Sequence, residues 1–93
     1  MSKSIISNKK ECLICHTTVD IHKHHIYFGT SNRKNSEKYG CWCFLCAKHH
    51  NMSDEGVHFN EALNSELKQY CQMIFEKSHT REEFRRIFGK SYL

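Results

Sequence analysis

Six cysteines and eight histidines in a chain of 93 residues constrain this protein more than any other feature. A chain of this length makes one domain and buries only a modest core, so it needs a further staple. The start, MSKSIISNKK, has no apolar leader pattern, and no stretch approaches the roughly 18 apolar residues of a membrane span. The expectation is a cytoplasmic protein without a membrane segment. In a reducing compartment, clustered cysteines beside histidines read as metal ligands rather than a disulfide scaffold.

Residues 1–11 read as a polar, flexible N-terminal arm, and residues 12–93 as a single domain. CLIC, at Cys12 to Cys15, is a tight knuckle. Two β-prone runs follow, IHKHHIYF and YGCWCFL, joined by the polar stretch GTSNRKNSEKYG, which is expected as the long loop of an antiparallel hairpin. Beyond Cys46, apolar residues Phe59, Leu63, Leu67, Tyr70, Cys71, Ile74 and Phe75 fall at three- and four-residue spacings and predict a helix. Thr80 and Glu83 form a capping box for a second helix carrying Phe84, Ile87 and Phe88, with Gly89 as its stop. The fold class expected is small α+β: a knuckle and hairpin followed by C-terminal helices.

Cys12 and Cys15 need a second pair to close a tetrahedral site, and Cys43 with Cys46 competes with Cys46 with His49. Side chains alternate along a strand, so residues three apart inside CFLC point to opposite faces and cannot chelate one ion. Cys46 and His49 straddle the strand exit, where a turn can bring both together. Strand alternation thus favours a structural Zn²⁺ on Cys12, Cys15, Cys46 and His49, a site type whose binding supplies about 10–16 kcal/mol in finger peptides. Cys41, Cys43 and Cys71 then read as small apolar packing groups.

The chain also carries two adjacent histidine pairs, His24-His25 and His49-His50. In a strand His24 and His25 point in opposite directions, so one can bind metal while the other stays free. Imidazole, with an ordinary pKa of about 6.5, suits a general base near neutral pH. His50, next to a zinc ligand in a turn, can face a second ion. His16, His22 and His79 have no motif that places them and read as surface side chains. Trp42 and Phe44 read as packing groups.

The order CLIC, KHHI, polar connection, then LC with a histidine pair resembles the HNH, or ββα-metal, endonucleases, particularly small zinc-stapled phage and prophage members, over roughly residues 12–60. The resemblance implies a zinc-stapled ββα-metal core. It assigns His24 to a catalytic ion, His25 to the base that activates water, and His50 to the same ion. His58 in GVHF resembles a third histidine that some members add. Two departures stand out: His49 replaces a cysteine of the usual CxxCH, and the middle asparagine has no match, since its place falls on Cys41 while Asn32 and Asn35 lie upstream. A backbone carbonyl is expected to orient His25 instead.

The implied activity is hydrolysis of phosphodiester bonds in DNA, leaving a 3′-hydroxyl and a 5′-phosphate, with one divalent ion stabilising the pentacovalent transition state. Imidazole ligands suit Mn²⁺, Ni²⁺ or Zn²⁺ better than Mg²⁺. Phosphate contacts are expected from Arg33, Lys34 and Lys38 in the connection, with Lys23 and Lys48 beside the site; the plain alternative is a solvated charged loop. The net charge of +4 suits phosphate without requiring it. The expected partner is double-stranded DNA read with low specificity, in a bacterial cell and from a phage or prophage, with a phage or host protein directing the cut. The competing classes are a zinc-stapled binding module without chemistry, and a single-zinc ribbon using Cys43.

Overall fold

The computed structural model describes residues 3–52 and 60–93. In chain order it contains strand β1 (Ile21–His25), helix α1 (Thr30–Tyr39), strand β2 (Trp42–Cys46), a π-helical turn at Lys48–Met52, helix α2 (Glu61–Phe75) and helix α3 (Arg81–Phe88). The protein is thus a small α+β fold.

β1 and β2 pair antiparallel, with Ile21 opposite Cys46, Lys23 opposite Phe44 and His25 opposite Trp42. This register fixes the two faces of the sheet. Ile21, Lys23 and His25 share one face with Cys46, Phe44 and Trp42, while His22 and His24 share the other with Leu45 and Cys43.

The connection between the strands is not the loop its composition predicts. TSNRKNSEKY forms ten residues of α-helix, closed by Gly40 in the left-handed conformation with its N–H on the Ser36 carbonyl. The helix has no apolar stripe, and polar side chains dock it together with Tyr39, whose ring packs near Phe75 and Phe88. Ser36 is fully buried, donating to the Tyr27 carbonyl at 2.6 Å and accepting from the Tyr27 N–H at 3.1 Å. Asn32 and Asn35 donate to the carbonyls of Phe88 and Ile87, satisfying the open end of α3.

The α2 stripe buries Leu67, Cys71 and Phe75, although Tyr70 stands exposed and the turn that would carry Phe59 lies outside the described residues. α3 starts at the expected capping box, Thr80 with Glu83, and ends at left-handed Gly89. Tyr27 is the hub where these elements meet. Its ring lies 5.1 Å from Phe84, 4.5 Å from Phe88 and 5.4 Å from Tyr92, and its hydroxyl donates to the Lys68 carbonyl at 2.6 Å. Aromatic pairs at these separations add about 0.5–1.5 kcal/mol each beyond area burial.

The expected N-terminal arm makes tertiary contacts of its own. Ser4 is buried and donates to the Trp42 carbonyl at 2.5 Å, and the Ile5 N–H donates to the Gly40 carbonyl at 2.9 Å. A Cβ on Gly40 would overlap the Lys3 carbonyl, whereas one on Gly89 would meet nothing within 4 Å. Both glycines have positive φ. Gly89→Ala is therefore expected to cost only the left-handed penalty of about 1–2 kcal/mol, and Gly40→Ala at least about 1 kcal/mol more because backbone must move. Urea unfolding of the two variants measures the difference; equal losses would show that the arm does not press on Gly40.

Candidate metal centre and histidine cleft

The knuckle is shaped by backbone hydrogen bonds. The His16 N–H donates to the Cys12 carbonyl, the Cys12 N–H to the Thr17 carbonyl and the Leu13 N–H to the Phe44 carbonyl, each at 2.9 Å. His16 takes a positive φ of 63°, a conformation in which histidine is enriched among non-glycine residues. The bond from Leu13 to Phe44 sets the knuckle against β2. Cys12 and Cys15 thereby meet Cys46 at the end of β2 and His49 from the π-helical turn, and their four ligand atoms lie within 4.8 Å of one another.

The separations within this cluster suit zinc. Zn–S bonds of about 2.3 Å and Zn–N bonds of about 2.0–2.1 Å at tetrahedral angles put two sulfurs about 3.8 Å apart, and sulfur and nitrogen about 3.6 Å apart. Cys15 Sγ to Cys46 Sγ measures 3.7 Å, and His49 Nδ1 lies 3.6 Å from Cys12 Sγ and 3.3 Å from Cys46 Sγ. Three thiolates and one imidazole form a donor set that could hold a metal ion and is compatible with zinc. Burial pushes the Cys12 thiol up, but the backbone N–H groups of Cys15, Cys46 and Ile14 outweigh it and draw its pKa down to about 6. Thiolate character is what a metal ligand needs.

Cys43 stands outside the cluster for the reason strand alternation gives. It faces away from Cys46, opposite His24, and burial pushes its thiol up to about 12. Cys41 and Cys71 are fully buried against each other, the contact between them raising the Cys41 thiol further than its burial does. Trp42 and Phe44 pack edge to face at 5.1 Å.

The second feature is a cleft of about 250 Å³ lined by Lys23, His24, His25, Phe28, Arg33 and His50. Three of the four histidines expected at a catalytic ion or as base therefore meet in one place; the fourth, His58, lies outside the described residues. Because β1 is an edge strand, side chains from both of its faces reach the cleft. His24, which is 2% exposed, turns toward His50, their ring centres 5.2 Å apart. His25 turns the other way, toward α1.

Glu37 of α1 meets His25 there, a residue that no motif singles out. Its Oε1 lies 3.0 Å from His25 Nε2, and both carboxylate oxygens accept from Lys23 Nζ, at 2.7 and 2.9 Å. Hydrogen bonds from Lys23 first and His25 second hold its carboxyl below the ordinary value. An ionised carboxylate only accepts, so His25 Nε2 carries the proton in this contact. The expected backbone carbonyl is replaced by a side chain, and Asn32 and Asn35 are occupied at α3.

Two further placements correct the sequence reading. His22 is half-buried rather than superficial, its Nδ1 lying 3.1 Å from His50 Nδ1. His79 stacks on Phe75 at 4.2 Å. His16 does lie on the surface, near Glu11. Of the expected phosphate contacts, Lys23 and Arg33 line the cleft, while Lys34, Lys38 and Lys48 are exposed away from its lining. Lys23 Nζ also sits 4.2 Å above the Trp42 ring.

Cys43→Ser is expected to leave one equivalent of zinc bound, whereas Cys12→Ser and His49→Ala lose it and unfold at lower temperature. Zinc content by atomic emission with a thermal melt decides this; loss of zinc in Cys43→Ser with retention in His49→Ala would move the site to the four-cysteine set. No protein-family model, curated protein or solved structure matches the chain, so its function is argued from these two sites alone.

Proposed function

We propose that this protein is a metal-dependent endonuclease of the HNH, ββα-metal type that hydrolyses phosphodiester bonds in DNA, with His25 as general base. The observation that carries the reading is the cleft itself. It collects His24 and His50, suited to hold an ion, beside a His25 turned the other way and fixed by a carboxylate, with two cationic side chains on the same wall. A binding module needs cations; it has no use for a histidine held in one tautomer beside a metal pair.

In this reading the zinc-suited cluster is the structural site. Its ligand His49 fixes the π-helical turn, and so places His50. π-helical turns of this kind recur at functional sites. A divalent ion on His24 and His50 would supply positive charge at the scissile phosphate and its leaving oxygen. The Nδ1 of His25 accepts the proton of the attacking water, a step worth about 10²–10⁴-fold. Glu37 keeps Nε2–H directed away from the reacting water and stabilises the imidazolium that forms. Lys23 neutralises Glu37 in the resting state, and Arg33 is placed to take a phosphate oxygen. Lys34, Lys38 and Lys48 act at longer range, on the duplex flanking the cut.

Supercoiled plasmid incubated with the zinc-loaded protein and added Mn²⁺ or Ni²⁺ is the test. Wild type is expected to nick, His25→Ala to fall by about 10²-fold or more, and Glu37→Gln to retain zinc while nicking at least about 10-fold more slowly, with rates falling as salt rises. Equal nicking by wild type and His25→Ala would remove His25 as the base. Absence of nicking with Mn²⁺, Ni²⁺, Zn²⁺ and Mg²⁺, together with retained DNA binding, would leave a non-catalytic zinc-stapled module.

A further inference from the structure

We infer that Lys68 and Lys90 form a phosphate-binding ridge that grips the DNA strand where it leaves the cleft past Phe28. The inference rests on the reading of the cleft as the side that faces DNA, and it names where the flanking backbone runs.

The ridge is built by the last residues of the chain folding back on α2. Tyr92 is fixed there. Its N–H donates to Gln72 Oε1 at 2.7 Å, its carbonyl accepts from Gln69 Nε2 at 3.2 Å, and its ring stacks on Tyr27 at 5.4 Å. Lys68 Nζ and Lys90 Nζ each lie 5.0 Å from the centre of the Tyr92 ring, so two ammonium groups crowd one aromatic side chain. Lys68 Nζ also sits 4.6 Å above the ring of Phe28, which is 45% exposed and lines the cleft. Ridge and cleft therefore share Phe28 as a wall, with Lys23 and Arg33 on its cleft side.

The charge balance of the ridge points to an anion. Elsewhere in the fold a cation in this kind of fixed position meets a carboxylate, as Lys23 meets Glu37 and Arg81 meets Glu76. Among the described residues no carboxylate comes within ion-pair distance of Lys68 or Lys90. Glu61 acts on Lys68 only from farther away, while burial first and the charge of Lys90 second draw the Lys68 ammonium below its ordinary value. The ring faces attract each cation, but they do not relieve the repulsion between the two. Solvated lysines on a bare surface extend apart into water; these converge. A phosphate set between them relieves the repulsion, and a nucleic-acid backbone supplies phosphates in series. Cations interleaved with aromatic side chains are also what nucleic-acid grooves use to track a strand.

The experiment is fluorescence anisotropy of a short labelled DNA duplex titrated with full-length, zinc-loaded protein over a series of salt concentrations, without added divalent metal. Lys68→Gln and Lys90→Gln are each expected to weaken binding at least about 3-fold and to reduce the slope of log affinity against log salt by about 0.9. Lys77→Gln makes the same charge change beyond the end of α2 and is expected to alter affinity by less than about 2-fold, because salt screens a charge so far from the ridge. Equal losses in all three variants would reduce the effect to net charge and overturn the ridge. Unchanged affinity and slope in Lys68→Gln and Lys90→Gln, with wild type still binding and nicking DNA, would overturn it and leave the nuclease reading standing. Wild type that binds no DNA would overturn both. Weaker binding in both ridge variants, with no nicking by wild type, would support the ridge on a non-catalytic module. Ring ¹³C signals of Phe28 and Tyr92 in wild type give an answer independent of any variant's folding: they should shift as duplex is added, and signals that stay still while DNA binds would refute the ridge.

Discussion

Everything else in this fold depends on the convergence of Cys12, Cys15, Cys46 and His49. A two-stranded sheet is marginal in water by itself, and this one receives its support at the end of β2, where the cluster joins the knuckle, the strand and the π-helical turn. The aromatic core around Tyr27 and Phe84 lies with the helices and cannot substitute, because it does not hold the turn that follows Cys46. The sulfur-rich cluster does so directly. His50 owes its position to its neighbour His49, so the geometry of the cleft is inherited from the four-residue cluster.

α1 is the second constraint, and it works through polar contacts. Ser36 locks the helix to Tyr27, Asn32 and Asn35 tie it to the end of α3, and Glu37 reaches the face of β1 that carries Lys23 and His25. Arg33 and Glu37, four residues apart, lie on one side of the helix. That side borders the cleft. The connection between the strands therefore supplies both the carboxylate that fixes an imidazole and a cation on the cleft wall.

What was readable in advance follows from where the information sits. The knuckle, the exclusion of Cys43, the amphipathic stripe of α2 and the capping box of α3 are local, expressed in spacings of two to four residues, and each appears where the spacing puts it. α1 was not legible because the pattern that announces a helix is an apolar stripe, and here a buried serine and two half-buried asparagines take its place. Glu37 and His22 were hidden for a related reason. Each acquires its meaning from a residue remote in sequence, His25 for one and His50 for the other, and nothing in the flanking residues of either names that partner.

The two histidine pairs show how a small chain sends adjacent side chains to different neighbours without separate layers. In β1, alternation sends His24 to one face, toward His50, and His25 to the other, toward Glu37, so consecutive imidazoles do not compete for one neighbour. In the π-helical turn, the angular step between neighbours sends His49 to the cysteines and His50 to the cleft. The same dipeptide thus resolves into two different pairs of directions because the backbone beneath it differs. An insertion of one residue in β1 would exchange its faces, moving His24 off His50 and His25 off Glu37 together. The site is accordingly tied to the register of a five-residue strand, and that register is held at one end by Cys46.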